Sequence, residues 1–183
     1  MQVTAKQLTK EFSRKSGTSN RFTALAPTDA VLEAGKLTIL TGRSGAGKST
    51  LLNLFAGLMQ PTAGQVMAGE TDLYALEDKA RSAFRSAHIG IIPQGQTAIF
   101  SLNVLENVLL PVTLCGRADK TQVEYAKELL GQLDIAHLGE VSPAELSGGE
   151  MRRMAIARAF VRKPEILLAD EFPACGRTNR RSG

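Results

Sequence analysis

The sequence contains no long apolar run and only two cysteines. The first feature argues against a membrane-spanning protein, and the second against a disulfide-rich or cysteine-metal protein. No stretch approaches the roughly 20 consecutive apolar residues of a membrane-spanning helix, and the N-terminus lacks the charged-then-apolar order of a secretory signal. Cys115 and Cys175 stand alone, so we expect neither a disulfide framework nor a cysteine-based metal cluster. These features predict a cytosolic protein with reduced thiols.

The body of the chain also lacks a marked excess of positive charge. The formal net charge is +4 at pH 7, but residues 172–183 contain three arginines and no acid, which leaves +1 for the rest. Nucleic-acid binding depends on clustered basic residues, so this distribution disfavours it. With 183 residues, 43% hydrophobic and 22% charged residues, the chain has the composition of one ordinary globular domain.

A glycine-rich segment matches the pattern G-x-x-x-x-G-K-[ST] at every defined position. An apolar, β-branched run at 36–41 precedes it and predicts a buried strand, and an apolar helix is predicted over 49–58. This order brings backbone N–H groups and the positive end of a helix to a polyphosphate. The alternative is a glycine-rich turn with an incidental lysine. The residues of this phosphate loop are Gly42, Arg43, Ser44, Gly45, Ala46, Gly47, Lys48, Ser49 and Thr50.

The remaining patterns alternate between strand and helix, with one all-helical stretch. After Gln94, two helical patterns at 103–110 and 121–133 follow each other with no strand between them, so we expect a helical insertion over about 96–144. A polar turn is expected over 16–20. The predicted strands are 2–8, 28–32, 65–69, 89–93 and 165–169, and the predicted helices are 76–87, 103–110, 121–133 and 151–162.

Three further positions have the chemistry of a nucleotide site. Gln94 follows a strand, Ser147 is a good N-cap before the two glycines that open a helix, and Asp170-Glu171 ends an apolar strand. Each has a plain alternative: a surface glutamine, an ordinary helix start and a solvated strand end. Their order along the chain, behind the phosphate loop, favours the functional interpretation.

Together these motifs resemble the nucleotide-binding subunit of an ATP-binding cassette (ABC) transporter. The resemblance covers about Met1 to Glu171, and its segments at 103–108 and 151–159 are similar to the branch that serves lipoprotein release, cell division and macrolide or peptide export. It implies one α/β domain with a P-loop NTPase (RecA-like) core, a small antiparallel β part at the N-terminus and a helical subdomain. The core would comprise residues 1–95 and 145–171, the helical subdomain about 96–144, and an atypical tail 172–183.

The resemblance also implies a role for each motif residue. Lys48 would neutralise phosphate charge, Ser49, Gln94 and Asp170 would bind Mg²⁺, and Glu171, with Gln94, would act on the attacking water. Phe12 would stack on adenine, although a lone aromatic is almost as often part of a core. The signature segment, Ser147, Gly148, Gly149 and Glu150, would contact ATP held by a partner subunit. His88 and His137 match no functional position and are expected to be structural or surface residues.

The implied partners are ATP, a second nucleotide-binding subunit in a head-to-tail dimer, and separate transmembrane permease subunits at the inner face of the membrane. A binding module without ATPase turnover is the second functional class. An ATPase acting on DNA or ribosomes, or a small-molecule kinase, fits the motifs less well. No transported substrate follows from the sequence.

Residues 172–183 depart from the family pattern. They contain no acid, no histidine and no apolar periodicity, where the resemblance implies an aspartate that contacts the opposite site and a histidine that holds the γ-phosphate. Truncation, a frameshift or an unusual natural terminus would each explain this. We expect the C-terminal part of the core to be missing, the ATPase to be impaired and nucleotide binding to persist.

Overall fold

The structure is a computed structural model that describes residues 1–13, 21–95 and 97–170. Six strands and five helices form in these residues, in the order expected of an α/β domain with a helical insertion. The strands are β1 (Val3–Ser13), β2 (Arg21–Leu32), β3 (Ala63–Ala68), β4 (Thr71–Asp72), β5 (Ile89–Ile92) and β6 (Ile166–Ala169). The helices are α1 (Lys48–Phe55), α2 (Asp78–His88), α3 (Val104–Thr113), α4 (Lys120–Gln132) and α5 (Gly148–Phe160), with 3₁₀ turns at Ala136–Leu138 and Pro143–Glu145.

The N-terminal strands form an antiparallel sheet in the order β2-β1-β3-β4. β1 pairs with β2 on one edge and with β3 on the other, and its register shifts three times along β2. The sequence predicted both leading strands but made them too short. Backbone pairing to a neighbour extends β1 and β2 beyond the segments that alternate polar and apolar residues.

The second sheet in the described part of the chain is a parallel pair, β5 with β6, in which Ile89 faces Ile166 and Ile92 faces Ala169. Buried side chains from this pair, from α1 and from the antiparallel sheet share one core, which includes Leu8, Leu54, Phe55, Val66 and Leu168. That core fixes α1 between the two sheets.

Helices α3, α4 and α5 enclose a second core. Helix α5 belongs to it although it lies outside the helical subdomain expected over about 96–144. The most buried members of this core include Val104, Val108, Leu130, Ile135 and Met154. In the described residues between β5 and β6 the chain forms no strand. The phosphate loop leads into α1, which packs in the first buried cluster. The signature segment opens α5, which packs in the second.

Helix α3 does not stop at Pro111, contrary to the predicted end at Leu110. It continues to Thr113 with the proline inside it. The helix is anchored at its start by a capping box between Asn103 and Glu106. The Pro111 carbonyl also accepts a hydrogen bond from Arg162 Nη1 at 3.1 Å. These contacts stabilise the helix although Pro111 has no backbone N–H to donate.

The predicted strand at 36–41 is wrong for the described residues. This segment forms no strand and joins no sheet, and the side chains of Leu37 and Ile39 are 83% and 74% exposed. A strand needs a hydrogen-bonded neighbour, and in the described part of the chain β6 pairs with β5 on one edge and with nothing on the other. The apolar pattern was therefore wrong both about the strand and about the burial of Leu37 and Ile39.

No helix in the described residues is long and apolar enough to span a bilayer. The turn expected at 16–20, the residue Glu171 and the tail 172–183 lie outside the described residues.

Candidate functional site

The phosphate loop ends where Gly47 meets β2. Gly47 caps α1 at φ +83°, and a Cβ at this position would lie 2.4 Å from the carbonyl oxygen of Ala24. Such a separation is too short for any Cβ, and left-handed φ values favour glycine. The sequence therefore needs glycine here so that the loop can press against the strand.

Lys48 folds back over this loop. Its Nζ donates to the carbonyl oxygens of Gly42 and Arg43, both at 2.9 Å. The first helical hydrogen bond of α1 joins Leu51 N to Gly47 O, so the amides of residues 48–50 precede the hydrogen-bonded turns. An ammonium group and the positive end of a helix thus converge on the loop, which is the arrangement that binds phosphate.

Three predicted residues from three different parts of the chain line one cavity of about 310 Å³. Ser49 comes from the first turn of α1, Gln94 follows β5, and Asp170 follows β6. The hydrogen bond from Asp170 N to Ile92 O, at 3.0 Å, ties the two strand ends together. The carboxyl ends of the parallel strands therefore meet the start of the phosphate-loop helix.

Asn53 also lines this cavity, and the sequence interpretation missed it. It lies four residues after Ser49, on the same face of α1, so helical spacing could have identified it. The polar groups around the cavity are a hydroxyl, two amides and one carboxylate. Oxygen donors of this kind suit Mg²⁺, which keeps several waters and takes few protein ligands. No group of three histidine, cysteine or acidic side chains suited to another metal occurs in the described residues.

Gln94 and Asp170 also border a second, smaller cavity of about 160 Å³. On its far side are Gly148, at the start of α5, and Arg158, near the end of the same helix. None of the four signature residues lines the Ser49 cavity. The structure thus brings the signature helix, with Gly148 at its start, to the Gln94 loop, and no residue of the phosphate loop lines this second cavity.

The signature segment is held by a capping box. Ser147 N and Ser147 Oγ both donate to Glu150 Oε2, at 2.7 and 2.6 Å. These hydrogen bonds, the one from the hydroxyl first, hold the pKa of the Glu150 carboxyl below its usual value of 4.5. Ser147, Gly148 and Gly149 are exposed, so the N-terminus of α5 is open to solvent in this chain.

Phe12 is 39% exposed and lies opposite Phe22 in the β1–β2 ladder. Lys10 Nζ stands 5.1 Å from the centroid of the Phe12 ring. Phe22 lies on β2 two positions before Ala24, whose carbonyl oxygen faces Gly47 of the phosphate loop. Phe22 is a second candidate for base stacking, and the sequence interpretation missed it because its pairing with Phe12 depends on the register.

His88 has a structural role. Its Nδ1 lies 2.8 Å from Glu165 Oε1, and its ring lies 4.5 Å from that of Phe84. The hydrogen bond with His88 is the main reason that the pKa of Glu165 is lowered. This pair joins the start of β5 to the start of β6, away from the motif residues.

Comparison with known proteins gives a consistent result. A family model described as "ABC transporter" matches residues 25–174. The chain is 42% identical over 140 residues to the lipoprotein-releasing system ATP-binding protein LolD of Colwellia psychrerythraea, which covers 76% of this chain and 54% of that protein. It is 41% identical to the methionine import ATP-binding protein MetN of Latilactobacillus sakei, over 91% of this chain and 47% of that protein. The chain thus spans about half the length of both relatives.

A third relative is covered more fully. The LolD protein of Treponema denticola is 36% identical, over 90% of this chain and 71% of its own length. Among solved structures, the ATP-binding cassette MJ0796, in a dimeric post-hydrolysis state bound to ADP and Pi, superimposes with a TM-score of 0.84 at 33% identity. That match covers 92% of this chain and 73% of the solved chain.

Proposed function

The chain belongs to the ABC transporter family, and from this premise we propose that it is an ATP-binding subunit that holds ATP and Mg²⁺ at its phosphate loop. The observation that carries the proposal is the meeting of Ser49, Gln94 and Asp170 around one cavity at the end of that loop. A phosphate loop alone indicates only an anion site. The addition of a hydroxyl, an amide and a carboxylate from three chain segments makes it a site for a metal-bound polyphosphate.

Each residue has a part that its position supports. The amides of the loop and the Lys48 ammonium would bind the β- and γ-phosphates, and for Lys48 this means exchanging the Gly42 and Arg43 carbonyls for phosphate oxygens. Ser49 and Asp170 would hold Mg²⁺, directly or through water, with Gln94 beside them. The ion would supply positive charge to the phosphate oxygens. Phe12, with Phe22 opposite, offers an aromatic surface for the base.

Hydrolysis of the bound ATP depends on Glu171, which would orient the attacking water. Glu171 and the tail that follows it lie outside the described residues. The impaired turnover expected from residues 172–183 therefore stays a prediction. A module that binds ATP without turnover is favoured by no described residue over an active ATPase.

The ATP-binding claim is tested by titrating a fluorescent ATP analogue in the presence of Mg²⁺. Lys48→Ala removes the ammonium that lies over the loop and should weaken binding by at least about tenfold, the loss expected for one charge-assisted contact with phosphate. Lys127→Ala is the control, because Lys127 is an exposed lysine in α4 that forms an ion pair with Glu124. Equal affinities for the wild type and Lys48→Ala would reject the proposed site.

A second copy of the chain is the proposed partner at the signature segment. Ser147, Gly148 and Gly149 are exposed at the N-terminus of α5 and do not line the cavity of Ser49. Their amides would meet the γ-phosphate of an ATP held by the other copy in a head-to-tail dimer. The similar cassette MJ0796 is itself described as dimeric. ATP would then bind at an interface and favour the closed dimer.

Permease subunits are the proposed partners at the membrane, and they would place the protein at the cytoplasmic face. Ile99 and Phe100 are 40% and 57% exposed in the segment that joins the Gln94 loop to α3. The fully buried Asn107 fixes this segment, because its side-chain amide donates to three backbone carbonyls there and its oxygen accepts from Ile99 N. An exposed apolar pair on such a fixed segment suits the docking of a helix from another subunit.

A further inference from the structure

Arg158 connects the signature helix to the loop that follows Gln94. It lies in the last turns of α5, and its Nη1 donates to the backbone carbonyl oxygen of Thr97 at 2.8 Å. Its Nη2 contacts the hydroxyl of the same residue. One guanidinium therefore hydrogen-bonds to both the backbone and the side chain of Thr97, three residues after Gln94.

The position of Arg158 is itself fixed against the core. A Cβ on Gly90, in the middle of β5, would come within 2.5 Å of the carbonyl oxygen of Ala159. The last turn of α5 thus lies directly on β5, the strand that leads to Gln94. Through its guanidinium, this turn therefore holds Thr97, in the loop after Gln94, close to β5, the strand that the loop follows.

Solvation gives a second reason to regard this contact as specific. Arg158 is partly buried, and burial lowers the pKa of its guanidinium. Moving a guanidinium out of water costs free energy that hydrogen bonds must offset. A planar fork with fixed donors suits a carbonyl and a hydroxyl on one residue, and the single ammonium of lysine cannot reproduce that geometry.

The Gln94 loop needs such an anchor. Gln94 and Thr97 are both exposed, and they line the same cavity as Arg158 and Asp170. On the β5 side the loop is held by the ladder with β6, which ends at the hydrogen bond between Asp170 N and Ile92 O. On the far side, the bonds from Arg158 tie it to α5.

We infer that Arg158 is a positioning residue: by holding Thr97 from the signature helix, it sets the Gln94 side chain at the cavity it shares with Ser49 and Asp170. This inference rests on the proposed function, in which Gln94 lies beside Mg²⁺. Because α5 begins at the signature segment and carries Arg158 two residues before its end at Phe160, the same bonds link that segment to the metal side of the site. Displacement of α5 would therefore move Gln94.

The test uses the full chain and two readouts. Backbone order parameters of residues 94–98 are measured by NMR without nucleotide, and ATP affinity is measured with Mg²⁺ and with EDTA. Arg158→Met should lower the order parameters of this loop into the flexible range, below about 0.6. It should also remove the gain in affinity that Mg²⁺ gives, as Gln94→Ala does, and leave the affinity in EDTA unchanged.

Arg162→Met is the matched control. Arg162 lies four residues further along and donates in the same way to a backbone carbonyl, that of Pro111 in the helical part. It should lose stability without changing either readout at the Gln94 loop. Thr97→Val and Arg158→Lys, which keep part of the contact, should give smaller changes in the same direction as Arg158→Met, and they carry the test if Arg158→Met does not fold.

The outcomes separate the two claims. If the wild type does not bind ATP, the proposed function fails, and the order parameters of the loop still decide the role of Arg158. If the wild type binds ATP and Arg158→Met keeps the full Mg²⁺-dependent gain, or differs in no readout from Arg162→Met, the positioning role is wrong. The double variant Gln94→Ala/Arg158→Met should lose no more of the Mg²⁺-dependent gain than Gln94→Ala alone.

Discussion

Replacing Gly47 with alanine should destabilise the chain more than the same change at Gly45, two residues earlier in the phosphate loop. Both glycines have left-handed backbones, with φ +83° and +79°. Alanine in this conformation costs about 1–2 kcal/mol at either position. The two positions differ in what the new methyl group meets, because a Cβ at Gly45 has nothing within 4 Å.

The additional cost at Gly47 comes from β2. The new Cβ would lie 2.4 Å from Ala24 O, and contacts under 3.0 Å are essentially never observed, so the gap must open by about 0.6 Å. Both atoms are fixed to the backbone, and no side-chain rotation relieves the overlap. Overpacking of this kind costs about 1–3 kcal/mol. Gly47→Ala should therefore lower the free energy of unfolding by about 2–5 kcal/mol, and Gly45→Ala by about 1–2 kcal/mol.

Urea unfolding followed by far-UV circular dichroism measures both variants against the wild type. The m-values should agree, so that a shift in midpoint reports stability. Equal losses for Gly47→Ala and Gly45→Ala would refute the claim that the loop presses against β2. A loss at Gly45 larger than that at Gly47 would contradict the described loop conformation.

Three further predictions concern the ends of helices. Tyr74 Oη lies 2.6 and 2.7 Å from the carbonyl oxygens of Leu54 and Met59, at the end of α1, and burial raises the pKa of its phenol to about 12. Tyr74→Phe removes this hydroxyl and should lower the free energy of unfolding in urea by about 1–2 kcal/mol. An unchanged urea midpoint would contradict this. Because the pKa of Glu150 is lowered in the folded chain, its stabilisation of α5 is present above about pH 4.5 and is lost as the pH falls through the folded value. The urea midpoint of Glu150→Ala should thus lie below that of the wild type at neutral pH and approach it in acid; a difference that grows in acid would contradict the capping box. Ser147→Arg, in a Glu171→Gln background that suppresses hydrolysis, should bind ATP normally but fail to form an ATP-dependent dimer by light scattering, and unimpaired dimerisation would count against the cross-subunit role.

Local chemistry explains why much of the site could be predicted. The phosphate loop needs glycine, lysine and serine at fixed spacing, and Ser147 with Glu150 three residues later is the sequence pattern of a capping box. These features depend on neighbours along the chain, and the structure places the loop and the capped helix where the sequence put them. For Gln94 and Asp170, only the family resemblance implied a shared role. They meet because β5 and β6 are parallel and end at the same edge of their sheet.

The features that the sequence did not reveal depend on contacts between distant segments. Leu37 and Ile39 have the pattern of a buried strand, but their burial requires a neighbouring strand that the described residues do not supply. Phe22 opposes Phe12 only because of the β1–β2 register. Arg158 resembles any arginine on a helix surface until the fold brings Thr97 to it.

The central claim is that Lys48, Ser49, Gln94 and Asp170 form one site for Mg²⁺ and the phosphates of ATP. A crystal structure of the full chain grown with Mg²⁺ and a non-hydrolysable ATP analogue tests it most directly. The account predicts the β- and γ-phosphates against the amides of the phosphate loop, with Lys48 Nζ turned from the Gly42 carbonyl to a phosphate oxygen. The metal should lie about 2.0–2.1 Å from Ser49 Oγ, with Asp170 bound to it directly or through one water. Nucleotide bound elsewhere, or a metal that contacts neither Ser49 nor a water held by Asp170, would contradict the account.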